Sequence, residues 1–149
     1  HRDGFRAKTV EARMHDGTLS ALNLDLQDNP IGARLEFGRP EPADSLYKVP
    51  MRIRVPLPSL VLVPGSGVWH GKMRIWFVAK DENDELSEVQ TIDVPLDIPA
   101  DEWDELKDKD YLLPINLDME AGNHNIAVGI RDTMGARSSF IRRQVLVGG

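Results

Sequence analysis

The sequence has no cysteine. That absence removes disulfides, thiol nucleophiles and cysteine-ligated zinc together, and it fits a reducing compartment and a disulfide-free secreted protein equally well. Aromatic residues make up only 6%, so Trp69, Trp76 and Trp103 are the large flat platforms. No apolar run approaches the roughly 18 residues that span a bilayer; the longest, Leu57 to Val63, is interrupted by Pro58. Positive charge is also short: 18 basic against 24 acidic residues give a formal charge of -6. This is the wrong sign for displacing counterions from nucleic acid, so neither DNA nor RNA is an expected partner. What is present is ordinary for a folded chain: 41% hydrophobic and 28% charged residues over 149 positions. A unit of that length buries about 68 to 70% of its unfolded surface, enough for one well-formed core.

The chain begins at His1 with no charged, then apolar, then small-residue leader, and reads as a mature or excised piece. Thr9 to Leu22 read as a helix with Thr9 as N-cap and Val10, Met14, Ala21 and Leu22 at three-to-four spacing. Gly17 weakens that helix, and an Asp16-Gly17 turn is the competing reading. Asp28-Asn29-Pro30 closes the element, because the residue before proline is pushed out of the helical region.

From Ala33 onward, β-rich runs alternate with turn residues: 34–37, 47–55, 60–63, 72–80, 89–96, 111–119, 125–131 and 139–147. Met51, Ile53 and Val55 face one way and Arg52 and Arg54 the other, the two-residue period of a strand covered on one side; Ile126, Val128 and Ile130 repeat it. The separators, such as Pro64-Gly65-Ser66-Gly67, Asp81-Glu82-Asn83-Asp84 and Thr133-Met134-Gly135, are turn chemistry, and short connections imply antiparallel neighbours. The expected fold is therefore mainly β: an immunoglobulin-like antiparallel β-sandwich over 33–149, with 1–32 as a helical or extended segment packed on it, in one domain spanning 1–149. A short crossover helix interrupts it at Ile98 to Leu106, with Pro99 in the first turn and Trp103 and Leu106 docking together. Pro56, Pro58 and Pro95 lie at strand ends and protect edges. Asp81 and Ser87 flank one turn as Asp132 and Ser138 flank another; a strand-ending Asp bonding turn amides explains this echo better than duplication does.

Catalysis needs a nucleophile, a base and an orienting group that converge. The histidines, His1, His15, His70 and His124, fall in no metal-ligand spacing and read as surface or hairpin residues. Ser66 lies between glycines without the spacing of a nucleophile elbow, and no phosphate or dinucleotide loop occurs. Asp81, Asn83 and Glu85 in one loop, and Asp97, Asp101, Glu102, Asp104 and Glu105 in another, raise calcium as an alternative. A calcium loop needs about six to eight converging oxygens, so solvated turns and helix-dipole charges are the preferred reading. No catalytic residue, cofactor or metal is expected, and a small-molecule ligand is not. The candidate binding surface is Trp69, Arg74 and Trp76. Met73, Ile75, Phe77 and Ala79 share one face of their strand, which leaves Trp76 outward beside Arg74 and Lys80, either as a contact point or under the Thr9 to Leu22 helix; coverage is the favoured reading.

Four runs carry a family resemblance: His1-Arg2-Asp3-Gly4-Phe5-Arg6, Asp28-Asn29-Pro30-Ile31-Gly32, Val49-Pro50-Met51-Arg52-Ile53-Arg54-Val55-Pro56-Leu57, and Ala127-Val128-Gly129-Ile130-Arg131-Asp132. In order, they resemble the β-rich module that follows the von Willebrand factor A-like domain in VWFA-related proteins described first from acidobacteria. The Asp-x-Ser-x-Ser metal pattern of the A-like domain does not occur, so its adhesive site is not carried over. The resemblance implies an extracytoplasmic location and a non-enzymatic structural or protein-binding role, with a protein partner or copies of itself. The alternatives are a self-assembling surface or filament subunit joined through strand edges, and a carbohydrate-binding module using Trp69 or Trp76.

Overall fold

The computed structural model describes residues 9–148; His1 and the His1 to Arg6 run lie outside them. The N-terminal helix α1 spans Val10–Leu24, and Thr9 caps it by accepting the Ala12 N–H on its hydroxyl. Its continuity through Gly17 excludes the Asp16-Gly17 turn. It ends where Asp25 enters the left-handed region at φ 53°, before the Asn29-Pro30 turn is reached. Asn29 then holds that turn: its carboxamide oxygen accepts the Gly32 and Ala33 amides, with Gly32 at φ +79°. Ile31, fully buried, is pinned there by its amide on the Ser139 hydroxyl.

The remainder is mainly strand: β1 (Arg34–Phe37), β2 (Glu41–Ala43), β3 (Leu46–Pro56), β4 (Val63–Pro64), β5 (Val68–Lys80), β6 (Gln90–Pro99), β7 (Asp110–Met119), β8 (Gly122–Asp132) and β9 (Arg137–Val147), with helix α2 (Ala100–Leu106) between β6 and β7. Every pairing is antiparallel. In one sheet β3 is central, with β1 and β2 end to end on one side and β7 on the other. In the second, β5 lies between β6 and β8, and β9 pairs on the far side of β8. The result is an immunoglobulin-like β-sandwich in which β6, the hairpin partner of β5, joins the larger sheet. The chain passes from one sheet to the other through α2.

Alternation builds the core. Val49, Met51, Ile53 and Val55 of β3 meet Met73, Ile75 and Phe77 of β5 and Ile126, Val128 and Ile130 of β8 in one continuous cluster. A second, smaller cluster lies outside: Ala21 and Leu22 of α1 cover Val78 and Ala127, with Leu19 and Phe140 alongside. Helix α1 is thus a lid on the outer face of the larger sheet. Its close approach depends on Gly129, where an added Cβ would stand 2.4 Å from the buried Thr18 hydroxyl.

Two expectations are corrected. Leu60 to Val63 do not form a strand: Leu57–Ser59 make a 3-10 turn, and regular pairing is limited to β4. Pro58 suits that turn, and the Val61 amide goes to the Asp132 carboxylate at 2.8 Å instead of to a strand partner. The crossover helix starts at Ala100, because Ile98 and Pro99 continue β6 in register with Trp69 and Val68.

Candidate functional site

Strand alternation separates the three residues of the candidate surface. Arg74 and Trp76 point to the α1 side of β5, whereas Trp69, at even spacing from Met73 and Ile75, turns toward the inter-sheet side beside α2. Trp76 is 1% exposed. Its indole N–H donates to Glu11, at the start of α1, and the Arg74 guanidinium lies 5.5 Å from its ring centroid. The contact-point reading of Trp76 is therefore corrected, and the lid reading describes its position. Arg74 donates to Glu11 at 3.1 Å and to Asp93, across the β5–β6 ladder, at 2.7 Å. The Asp93 bond foremost holds the Arg74 guanidinium above its ordinary value, and Arg74 in turn holds Asp93 below the usual carboxylate range. Trp69 is half-buried and stacks on Trp103 with centroids 4.4 Å apart, while Trp103 and Leu106 both pack on the main core. These residues consolidate three separate junctions.

Some other charged groups are also tied across strands. Arg54 donates to Glu36 at 3.2 Å and to Asp110 at 3.2 Å, spanning β1, β3 and the start of β7. The Arg54 hydrogen bond is the chief cause of the lowered Glu36 value. His70 Nδ1 lies 2.7 Å from Asp97, directly opposite on β6. His15 is exposed on α1, whereas His124 is buried and bonds the Glu120 carbonyl at 2.8 Å. Asp81 Oδ1 accepts the Asn83 and Glu85 amides, and Asp132 Oδ1 accepts those of Met134 and Gly135. The repeated Asp is thus turn chemistry in both hairpins. Among the described residues, no three histidine, aspartate or glutamate side chains are placed to hold a metal ion.

The openings lie along the sides of the sandwich. On one side a cleft of about 400 Å³ runs between β1 and β9, lined by Arg34, Arg142 and Arg143 among others. All three arginines are engaged: Arg34 pairs with Asp110 at 3.5 Å, Arg143 donates to the Leu35 carbonyl at 2.7 Å and Arg142 to that of Leu22 at 3.2 Å. On the opposite side a cleft of about 410 Å³ enters the core between the β5–β6 hairpin and β7, past Phe77, Ile92, Ile115, Leu117 and Ile126. This second opening was not legible in the sequence, which places Ile115 and Leu117 only within the 111–119 run.

No family model matches the chain, and no curated protein does. Among solved structures, the chain resembles part of a β-glucuronidase from Bacteroides uniformis at 7% identity and a TM-score of 0.46, over 78% of this chain and 13% of that one. It also resembles a Northeast Structural Genomics Consortium target at 10% identity and a TM-score of 0.42, over 78% of this chain and 85% of the other.

Proposed function

We propose that the chain is a non-enzymatic structural or protein-binding module, the β-rich downstream part of an extracytoplasmic VWFA-related protein. The observation that carries the binding role is the β6–β7 opening, where an apolar entry to the core is bordered by strand edges that pair on one side only. Such edges recognise extended chain through backbone hydrogen bonds, with side-chain pockets adding selectivity. Arg54, Glu36, Asp110, Arg74 and Asp93, by contrast, are engaged in cross-strand pairs that fix the sheets. The VWFA assignment is carried by the ordered sequence runs alone.

The complete reading frame tests the family assignment: an A-like domain and a signal peptide are expected upstream, and a frame with neither contradicts it. Calorimetric titration of that A-like domain into this chain tests the binding role, with saturable heat expected and none contradicting it as partner. The same free edges favour a second reading, a self-assembling subunit. Pro95 and Pro114 stand within the two edges and oppose open-ended stacking. Light scattering across a concentration series separates the two: a constant monomer mass is expected, and growth of mass with concentration supports self-assembly.

A further inference from the structure

We propose that the β6–β7 cleft receives an extended segment of a partner protein, with alternate apolar side chains and basic residues at its N-terminal end. This rests on the binding-module reading and supplies its site and the chemistry of its partner.

The backbone geometry of β7 comes first. The Pro50 carbonyl accepts the Gly38 amide on the β1 side of β3, so Pro50 turns its backbone away from β7. Antiparallel pairs alternate between bonded and non-bonded, which makes Pro50↔Asn116 a non-bonded pair, with Arg54↔Leu112, Arg52↔Pro114 and Lys48↔Asp118 in the same phase. Leu112, Pro114, Asn116 and Asp118 therefore present their backbone to the free edge. Pro114 has no N–H to offer, so pairing with a guest strand concentrates at Asn116 and Asp118. The same proline disfavours a long strand-to-strand contact with a second copy.

The apolar surface lies beside those two residues. Ile115 and Leu117 point inward yet are only half-buried, whereas Met51 and Val49, directly across the ladder, are fully buried. Together with Phe77 and Ile92 they line the 410 Å³ cleft, a volume within the range of about 300 to 1,000 Å³ typical of binding pockets.

Charge sets the direction. At the Met119 end of β7 the cleft continues into a hollow of about 240 Å³ that shares Ala79, Ser87, Asp118 and Met119 with it and adds Asp81, Glu85 and Glu120. No lysine or arginine lines either space among the described residues. One Asp81 oxygen is engaged by turn amides, and Lys48 stands opposite Asp118 on the ladder, so Glu85 and Glu120 are the carboxylates most open to a guest. A strand antiparallel to β7 brings its N-terminal end to this hollow, where basic residues meet acidic ones. Exposed charge pairs add little affinity and mainly select orientation and rate, so the apolar side chains provide the binding.

The test uses the whole chain and a synthetic peptide, Lys-Arg-Ile-Thr-Val-Thr-Ile, labelled at its C-terminus. Fluorescence anisotropy is expected to show saturable micromolar binding, with slowed hydrogen exchange at Asn116 and Asp118. Replacing Lys-Arg by Glu-Glu is expected to weaken binding about tenfold. The exposed double variant Glu85→Lys with Glu120→Lys is expected to reverse that preference while leaving the melting curve in place. No saturation at millimolar peptide, equal affinity for both peptides, exchange slowed at another edge, or a self-associated chain with β7 protected would overturn the proposal. If the A-like domain binds while the peptide does not, the module reading stands and strand addition falls. If the peptide alone binds, the site stands and the A-like partner falls.

Discussion

Gly129 carries much of the fit between α1 and the larger sheet. An alanine there would bring its Cβ to 2.4 Å from Thr18 Oγ1, a fully buried hydroxyl that donates to the Met14 carbonyl. Overpacking of this kind costs about 1 to 3 kcal/mol. Gly129→Ala is therefore expected to lower thermal stability, and the double variant with Thr18→Ala to recover part of the loss in a calorimetric double-mutant cycle; additive effects would contradict the contact. Asp132, 1% exposed, accepts the amides of Val61, Met134 and Gly135 and ties the β8–β9 turn to the loop after the 3-10 turn. Asp132→Ala leaves those amides without their acceptor and is expected to cost about 1 to 3 kcal/mol in chemical unfolding. A loss of a few tenths would show that water replaces the carboxylate freely. The turn-capping use of Asp132 was legible because an aspartate before Thr133-Met134-Gly135 has a local partner. Its bond to Val61 was not, because that contact joins residues 71 positions apart.

Strand ends were legible to differing degrees: 34–37 is β1, 47–55 falls one residue short of β3 at each end and 111–119 differs from β7 by one, whereas 72–80 misses the first four residues of β5 and 125–131 the first three of β8. Where the period failed, tertiary partners decided. Glu41–Ala43 contains a proline and shows no alternation, yet becomes a strand because it pairs with Leu46–Lys48 across a short turn in which Asp44 takes φ 58°. Leu60 to Val63 are apolar enough for a strand but lack a long neighbour. The cross-strand ion pairs also operate between elements. Glu36 and Asp93 are held below the ordinary carboxylate range chiefly by hydrogen bonds from Arg54 and Arg74. A carboxylate with a depressed folded-state value stabilises the fold above its unfolded value, and that contribution is lost as pH falls through the depressed one. Melting temperature is accordingly expected to drop on acidification below the ordinary carboxylate range, and Glu36→Gln to flatten part of that drop. An unchanged acid limb in the variant would contradict the pairing. Raised salt should reduce the effect, because both carboxylates are solvated.

The division of strands between sheets could not be read from periodicity, which assigns each residue a face without naming the strand it pairs with. Trp69, Arg74 and Trp76 illustrate the limit. Alternation along β5 places Trp69 opposite the other two, but only the assembled chain shows that α1 covers one face and α2 borders the other. The β6–β7 opening was invisible for the same reason, since it arises from the spacing of two sheets. The architecture as a whole implies a gradient of local stability: central strands paired on both sides, edge strands paired on one, and a lid held by a small apolar cluster. Native-state hydrogen exchange on the free chain tests this most directly. Amides of β3, β5 and β8 bonded to both neighbours should exchange only through global unfolding, with α1 and the Asn116 and Asp118 amides of β7 exchanging well before them. Protection of the Asn116 and Asp118 amides equal to that of β3 would contradict a free β7 edge, and slowest exchange in α1 would contradict a core between the two sheets.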